Sequence, residues 1–149
     1  MHLNIKKHIL NRTKKYYIAS NDFNSTEEEF LDKIATAIKN GADIVECKIT
    51  NNPKQLLEYG RKARQLCSIY NKLFIINDRV DIATLLEADG VFLNDKSIDV
   101  VSAKQIIDDN LLIGSCIPGD GVDYVLLCDN NQVCINIHKF IKKGEFYEV

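Results

Sequence analysis

Features that mark secreted, membrane-spanning or nucleic-acid-binding chains are missing from this sequence. Its five cysteines form no CxxC pair and no stretch resembles a secretory signal peptide, which together predict a reducing, cytoplasmic compartment. No apolar run approaches the roughly 18 residues that a membrane helix needs. The formal net charge of -2 lacks the positive excess of a nucleic-acid-binding surface. We therefore expect neither a membrane nor a nucleic acid as a partner.

What the sequence does contain is enough apolar material for one folded domain. Hydrophobic residues make up 46% of the 149 residues, which predicts a single domain over residues 1–149 with a sizeable core. The basic stretch near the N-terminus, which includes Lys6 and Lys7, is interpreted as a solvated face rather than a binding patch.

Apolar runs and helical patterns alternate along most of the chain. Cap residues at Thr26 and Asn52-Pro53 precede apolar side chains at helical spacing, and the helices that they begin are predicted to end at Asn40-Gly41 and Tyr70-Asn71. Two shorter helices are predicted at residues 80–86 and 100–107. The predicted strands are residues 16–19, 44–49, 73–76, 90–93, 111–116 and 124–127. Unbroken apolar strands that alternate with helices are typical of a parallel sheet covered by helices.

Two α/β architectures fit this alternation, a (β/α) barrel and a doubly wound open sheet. Ser20-Asn21 stands where a glycine-rich phosphate loop would follow the first strand, and this favours the barrel. A complete TIM-type barrel needs at least about 200 residues. We therefore predict an incomplete parallel barrel of about six βα units, followed by a strand at residues 133–138 and a return near Lys143-Gly144. Either this tail closes the sheet, or a second copy of the chain covers its open edge in a homodimer.

Polar residues collect where the predicted strands end, and in a barrel the functional face lies beyond these ends. Glu46 and Lys48 share one side of the second strand because side chains alternate along a strand. The next three strands end at Asn77-Asp78, Asn94-Asp95 and Ser115-Cys116. Lysine suits phosphate and carboxylates suit magnesium, so this rim fits a phosphate-bearing ligand with a divalent cation. Alternatively, Glu46 pairs with Lys48 inside the barrel and Asn77-Asp78 merely caps the next helix.

The order of these motifs resembles a known family. FIINDRVDIATLLEADGVFLN, residues 74–94, is similar to a segment of the thiamine phosphate synthases and their thiazole tautomerase relatives. The stretch from Asn40-Gly41 to Lys48 resembles the second strand of that family, and residues 112–115 and 121–125 resemble its fifth and sixth strands. The resemblance covers about residues 16–127 in unbroken order, and its NDRxD and ADGV elements are fairly specific. It implies the TIM-type fold.

The resemblance also implies roles for individual positions. The synthases present Gln, Arg and Lys from the second strand to a pyrimidine diphosphate, and this chain has Glu46, Lys48 and Thr50 there. Asn77 matches the diphosphate-binding Asn, and Asp78 matches a magnesium-binding Asp. Ser97 replaces the second magnesium Asp of the family, while Asp95 lies two residues away. We expect Glu46, Lys48, Asn77 and Ser115 to bind substrate and Asp78 and Asp95 to bind Mg²⁺, with no catalytic residue assigned.

The function implied is that of a thiamine phosphate synthase-like protein of thiamine biosynthesis, with a small phosphorylated pyrimidine or thiazole as ligand. If active, it is a transferase that joins hydroxymethylpyrimidine diphosphate to thiazole phosphate. The alternative is a non-catalytic binding or regulatory member of the family. Arg79 and Asp81 are expected to fix the turn and helix start after the third strand. Among the cysteines, Cys116 is the one that merits a test as a nucleophile.

Overall fold

The computed structural model describes residues 1–21, 25–50 and 52–126, and the backbone of two strands in the tail. Five helices are described: α1 (Leu3–Arg12), α2 (Glu27–Lys39), α3 (Pro53–Ile69), α4 (Val80–Leu85) and α5 (Val100–Ile106). The first six strands are β1 (Tyr16–Ser20), β2 (Ile44–Lys48), β3 (Leu73–Asn77), β4 (Gly90–Leu93), β5 (Leu112–Ser115) and β6 (Tyr124–Leu126). The tail strands are β7 (Lys139–Lys142) and β8 (Glu145–Glu148).

The strands form one sheet in chain order, from β1 to β8. Strands β1 to β6 pair in parallel, whereas β7 pairs antiparallel with β6 and β8 antiparallel with β7. These six parallel strands form an incomplete, curled barrel with helices outside it, which confirms the predicted fold class. The tail hairpin extends the β6 edge, and its two strands flank the predicted return. The strand predicted at residues 133–138 lies outside the described residues.

Two apolar clusters cover the two faces of the sheet. The outer cluster joins the sheet to the helices, with Phe30, Ile34, Leu56 and Ala63 among its helical members. The inner cluster fills the concave face, and its members are Leu10, Tyr16, Ile18, Ile44, Leu73, Ile75, Phe92, Leu112, Tyr124 and Leu126. Both faces of the parallel strands are therefore buried, which explains why their sequences are mostly apolar, with Glu46 and Lys48 in β2 as exceptions.

Side-chain caps begin three of the helices. Thr26 Oγ1 accepts a hydrogen bond from Glu29 N at 3.1 Å, and Asn52 Oδ1 accepts one from Gln55 N at 3.0 Å. Asp99 Oδ1 accepts from Ser102 N at 2.7 Å. These bonds satisfy amide groups that have no partner within the helix. Among the described residues, no helix is long and apolar enough to cross a membrane.

Helix α1 was not predicted, and it corrects the interpretation of one residue of the basic N-terminal stretch. Arg12 and Lys14 are exposed, as expected of a solvated face, but Lys6 is only 4% exposed. Its Nζ donates hydrogen bonds to the carbonyl oxygens of Asp89 (3.1 Å) and Asn110 (2.7 Å) and lies 3.8 Å from Asp89 Oδ1. One turn later, Leu10 enters the inner cluster. The helix therefore closes the amino-terminal end of the curled sheet.

Candidate functional site

A cavity of about 660 Å³ opens at the carboxyl ends of β1 to β4. Its size lies within the range of small-molecule sites in proteins. Polar and charged side chains dominate its lining, and those that follow the strand ends are Ser20, Lys48, Asn77, Asp78, Asn94 and Asp95. Arg79, Lys96 and Thr50 also line it. The part of the predicted rim that lies at the ends of β2 to β4 is therefore one continuous depression.

Strand register brings the polar side chains of neighbouring strands together. Ser20 lies opposite Lys48 in the β1–β2 pair, and Asn77 lies opposite Phe92 in the β3–β4 pair. Asn94 follows Phe92 by two residues and so continues the same row of side chains. Its Nδ2 donates to Asn77 Oδ1 at 3.0 Å. The amides at the ends of β3 and β4 thus form one unit.

Glu46 lies beneath the cavity rather than in its lining. It is 1% exposed, and its two carboxylate oxygens accept from Tyr16 Oη at 2.6 Å and from Asn77 Nδ2 at 2.9 Å. Burial raises its pKa, while the bonds from Tyr16 and Asn77 and the charge of Lys48 oppose this rise. Glu46 therefore holds the side chain of Asn77 from below, whereas the sequence predicted direct contact between Glu46 and substrate.

Asp78 occupies a tight turn between β3 and α4. Its φ of 67° is in the left-handed region, which is uncommon for residues other than glycine but tolerated by Asp and Asn. The turn is held by hydrogen bonds from Asp78 N to Phe92 O and from Arg79 N to Asn77 O, both 2.7 Å. Ser97 Oγ donates to Asp78 Oδ1 at 2.6 Å. Ser97 therefore orients this carboxylate, a role that sequence reasoning did not assign to it.

Arg79 and Asp81 form a two-pronged ion pair at the start of α4. Arg79 Nε and Nη2 donate to the two oxygens of Asp81 at 2.9 and 2.7 Å. The bond with Arg79 lowers the pKa of Asp81, despite the opposing effect of burial. This pairing agrees with the expected role of both residues at the turn, and it occupies one edge of the guanidinium.

The alternative in which Asn77-Asp78 merely caps the next helix is wrong. Helix α4 has Arg79 as its N-cap residue, without a side-chain cap hydrogen bond. Asn77 bonds to Glu46 and Asn94, and Asp78 bonds to Ser97. These contacts link β2, β3 and the loop after β4 across the rim. Asn77 and Asp78, at the end of β3, therefore belong to the cavity rather than to helix capping.

The predicted site residues do not all reach the cavity. Lys48, Asn77, Asp78 and Asp95 line it. Ser115, at the end of β5, is 8% exposed, and its Oγ accepts from Ile117 N at 3.2 Å. It lies outside the residues that line the cavity. The structure thus brings together the residues from β2 to β4 and leaves Ser115 apart.

Two buried tyrosines below the site were missed by sequence reasoning. Tyr16 Oη and Tyr124 Oη are 2.8 Å apart, and Tyr16 also bonds to Glu46. Burial raises the pKa of Tyr16 well above its usual value, and the nearby charge of Glu46 adds to the rise. The signal available was the alternation that places Tyr16 in the same row as Ser20. Its contact with Tyr124 joins positions 108 residues apart, which no local pattern reveals.

The cysteines differ in exposure. Cys116 is exposed, while Cys47 and Cys67 are buried. Burial raises the pKa of Cys67 to about 12, which disfavours the reactive thiolate form. No described residue pairs with a cysteine in a disulfide. Cys116 is thus the accessible thiol among these three.

Comparisons with known proteins agree with this arrangement. A family model described as thiamine monophosphate synthase matches residues 15–121. Thiamine-phosphate synthase of Campylobacter jejuni (strain 81-176) is 37% identical over 99 residues, which cover 66% of this chain and 47% of that protein. The enzyme of the same name from Clostridioides difficile is 30% identical over 131 residues, covering 81% and 62%.

A solved structure has the same fold. Thiamine phosphate pyrophosphorylase from Pyrococcus furiosus superimposes with a TM-score of 0.61 at 32% identity, over 71% of this chain and 51% of that one. The chain spans about half the length of the Campylobacter protein and of this structure.

Proposed function

Because the chain belongs to the thiamine monophosphate synthase family, we propose that it serves thiamine biosynthesis by binding a pyrimidine diphosphate in the rim cavity. The observation that carries the proposal is the shared position of Asn77, Asp78 and Lys48 in one polar cavity. Lysine and amide N–H groups suit phosphate oxygens. Ser115 stays a predicted ligand near the β5 end. A cytoplasmic location also stays a prediction, and so does a homodimer that covers an open edge of the sheet.

The residues present fit a magnesium ion at the same site. Asp78 and Asp95 both line the cavity, and their oxygens are the hard ligands that Mg²⁺ prefers. In the part of the chain that the structure describes, no cluster of three His, Cys, Asp or Glu could hold a metal. Mg²⁺ is commonly held by one or two carboxylates together with substrate phosphates and water. Two carboxylates at a phosphate cavity meet that requirement.

Each side chain of the cavity would make a different contact with the ligand or the ion. Lys48 would neutralise phosphate charge, and Asn77 would donate its remaining N–H to a phosphate oxygen. Asp78 and Asp95 would hold the ion, which when bound stabilises the charge on a departing diphosphate. In the transfer known for the family, the bond between the pyrimidine methylene and the diphosphate breaks, diphosphate keeps the electron pair, and a thiazole nitrogen forms the new C–N bond.

A specific observation favours a second candidate, ligand binding without turnover. After β6 the described sheet continues as an antiparallel hairpin, whereas in the synthases further parallel units carry phosphate-binding loops. Formation of thiamine phosphate from both substrates distinguishes the two candidates. A wild-type protein that binds pyrimidine diphosphate but forms no product would be a binding protein.

Thermal unfolding with magnesium and ligand tests the binding proposal. A ligand present at 100 times its Kd stabilises the folded state by about 2.7 kcal/mol, so millimolar magnesium pyrophosphate should raise the Tm of the wild type. Hydroxymethylpyrimidine diphosphate should raise it further. Asp78→Ala should abolish both shifts, whereas Asp32→Ala, which removes an exposed carboxylate on α2, should keep them. The absence of any shift in the wild type would refute the proposal.

A further inference from the structure

Hydrogen bonds connect the buried carboxylate to the rim through two side-chain amides. Glu46 Oε2 accepts from Asn77 Nδ2 at 2.9 Å, and Asn77 Oδ1 accepts from Asn94 Nδ2 at 3.0 Å. Asn94 Oδ1 in turn accepts from the backbone N–H of Lys96 at 2.8 Å. We call these three side chains and this N–H the amide relay.

Both ends of the amide relay have a fixed polarity. The oxygen of Glu46 that faces Asn77 is an acceptor, and the backbone N–H of Lys96 can only donate. Asn77 must therefore turn its NH₂ group toward Glu46 and its oxygen toward Asn94. Asn94 must turn its oxygen toward Lys96. Reversing either amide would place two donors or two acceptors face to face, at the cost of hydrogen bonds in a buried place.

This arrangement decides what Asn77 can offer to a ligand. Its oxygen is engaged by Asn94, and one of its two Nδ2 hydrogens is engaged by Glu46. The second hydrogen has no partner among the described residues, and Asn77 lines the cavity. The group that remains on Nδ2 is a donor, which suits a phosphate oxygen.

We propose that Glu46 is a positioning residue that orients Asn77 as a hydrogen-bond donor and so makes the cavity selective for ligands rich in acceptors, such as a diphosphate. This inference rests on the proposed function for the identity of the ligand. The orientation of the two amides does not depend on it. Glu46 itself makes no contact with the ligand.

Two variants separate positioning from stability. Glu46→Leu removes the acceptor that faces Asn77, and binding of magnesium pyrophosphate should weaken roughly tenfold, the equivalent of one lost hydrogen bond of about 1.4 kcal/mol. Tyr16→Phe removes the other hydrogen bond to Glu46 and leaves the amide relay intact. It should bind within about twofold of the wild type. Equal losses in the two variants would overturn the proposal.

A conservative variant provides a rescue test. Glu46→Gln can turn its oxygen toward Asn77 and its NH₂ toward Tyr16, whose hydroxyl can accept as well as donate. Binding should therefore stay within about threefold of the wild type. Binding as weak as in Glu46→Leu would show that the acceptor facing Asn77 is not what matters, and would overturn the proposal.

Side-chain amide exchange measured by NMR tests the relay without any ligand. In the free wild-type protein, the Asn77 hydrogen that bonds to Glu46 and the Asn94 hydrogen that bonds to Asn77 should exchange with solvent more slowly than the side-chain amide hydrogens of exposed asparagines. Tyr16→Phe should preserve this protection, and Glu46→Leu should lose it at Asn77. Fast exchange of both Nδ2 hydrogens of Asn77 in the wild type would overturn the relay, even if Glu46→Leu does not fold. Failure of the wild type to bind magnesium pyrophosphate, with protected amides, would overturn the proposed function instead.

Discussion

Lys6→Met is expected to destabilise the fold although it replaces a charged residue by an apolar one in a buried place. Methionine keeps most of the apolar stem of the lysine and removes only the ammonium group. That group donates to the carbonyl oxygens of Asp89 and Asn110 and lies 3.8 Å from the Asp89 carboxylate. The change thus isolates the electrostatic part of the contact between α1 and the sheet.

The magnitude follows from two opposing effects. Burial lowers the pKa of Lys6, which shows that removing the ammonium from water has a cost, and the charge of Asp89 opposes the lowering. Removing one partner of a buried pair costs about 3–5 kcal/mol. Asp89 keeps a hydrogen bond from Phe74 N at 2.8 Å, so its carboxylate is not left without a donor. We therefore expect a loss of about 2–3 kcal/mol in the free energy of unfolding.

Urea unfolding followed by far-UV circular dichroism measures this loss. Lys7→Met is the matched control, because Lys7 is the next residue on α1 and its Nζ lies 3.9 Å from Asp123, with 35% of the lysine side chain exposed. A partly exposed pair at this distance is expected to contribute about 1 kcal/mol. Equal unfolding free energies for Lys6→Met and Lys7→Met, or a more stable Lys6→Met, would show that the desolvation cost outweighs the pairing and refute the reasoning.

Two further predictions concern groups whose pKa is shifted by burial. The pKa of Glu46 is raised above its ordinary value of 4.5, so its contribution to stability is present below that value and is lost as pH rises through the folded-state pKa. Urea titrations at several pH values should therefore show that the unfolding free energy of the wild type falls with rising pH relative to that of Glu46→Gln. A constant difference between the two proteins would contradict this. Maleimide should label Cys116 rapidly in the native protein and leave Cys47 and Cys67 unmodified until urea is added, because the last two are buried. Peptide mass mapping identifies the labelled cysteines. Early labelling of Cys47 or Cys67 would contradict the described core.

Most of the fold could be predicted because its strands carry a local signal. Each parallel strand is buried on both faces and reads as an apolar run, and the caps at Thr26 and Asn52 mark helix starts in the sequence itself. Helix α1 carries no such signal. It has no acidic residue in its first turn and no side-chain cap, and one of its two buried positions is Lys6. A buried lysine looks like a surface residue until its distant partners are known.

The position of the site could be predicted from the sequence, but the hydrogen bonds between its side chains could not. Strand ends in a parallel barrel converge whatever their sequence, so the rim residues Asn77, Asp78 and Asp95 could be expected to lie near one another. The depth of Glu46 and the bond from Ser97 to Asp78 depend on contacts between segments far apart in the chain. A serine in place of a carboxylate suggested a lost metal ligand, whereas the structure uses its hydroxyl as a donor to the neighbouring carboxylate.

Asp78 has a left-handed backbone, with φ of 67°. At this position, the residue type that suits the backbone differs from the residue type that supplies a carboxylate to the cavity. A non-glycine residue in this region costs about 1 kcal/mol, and glycine would relieve that cost but lose the hydrogen bond that the carboxylate accepts from Ser97. In a library selected only for thermostability, glycine at position 78 should therefore be favoured mainly in sequences that have also lost Ser97. Engineers who stabilise this scaffold need to hold both positions constant, since a change at Ser97 removes what offsets the backbone cost of Asp78.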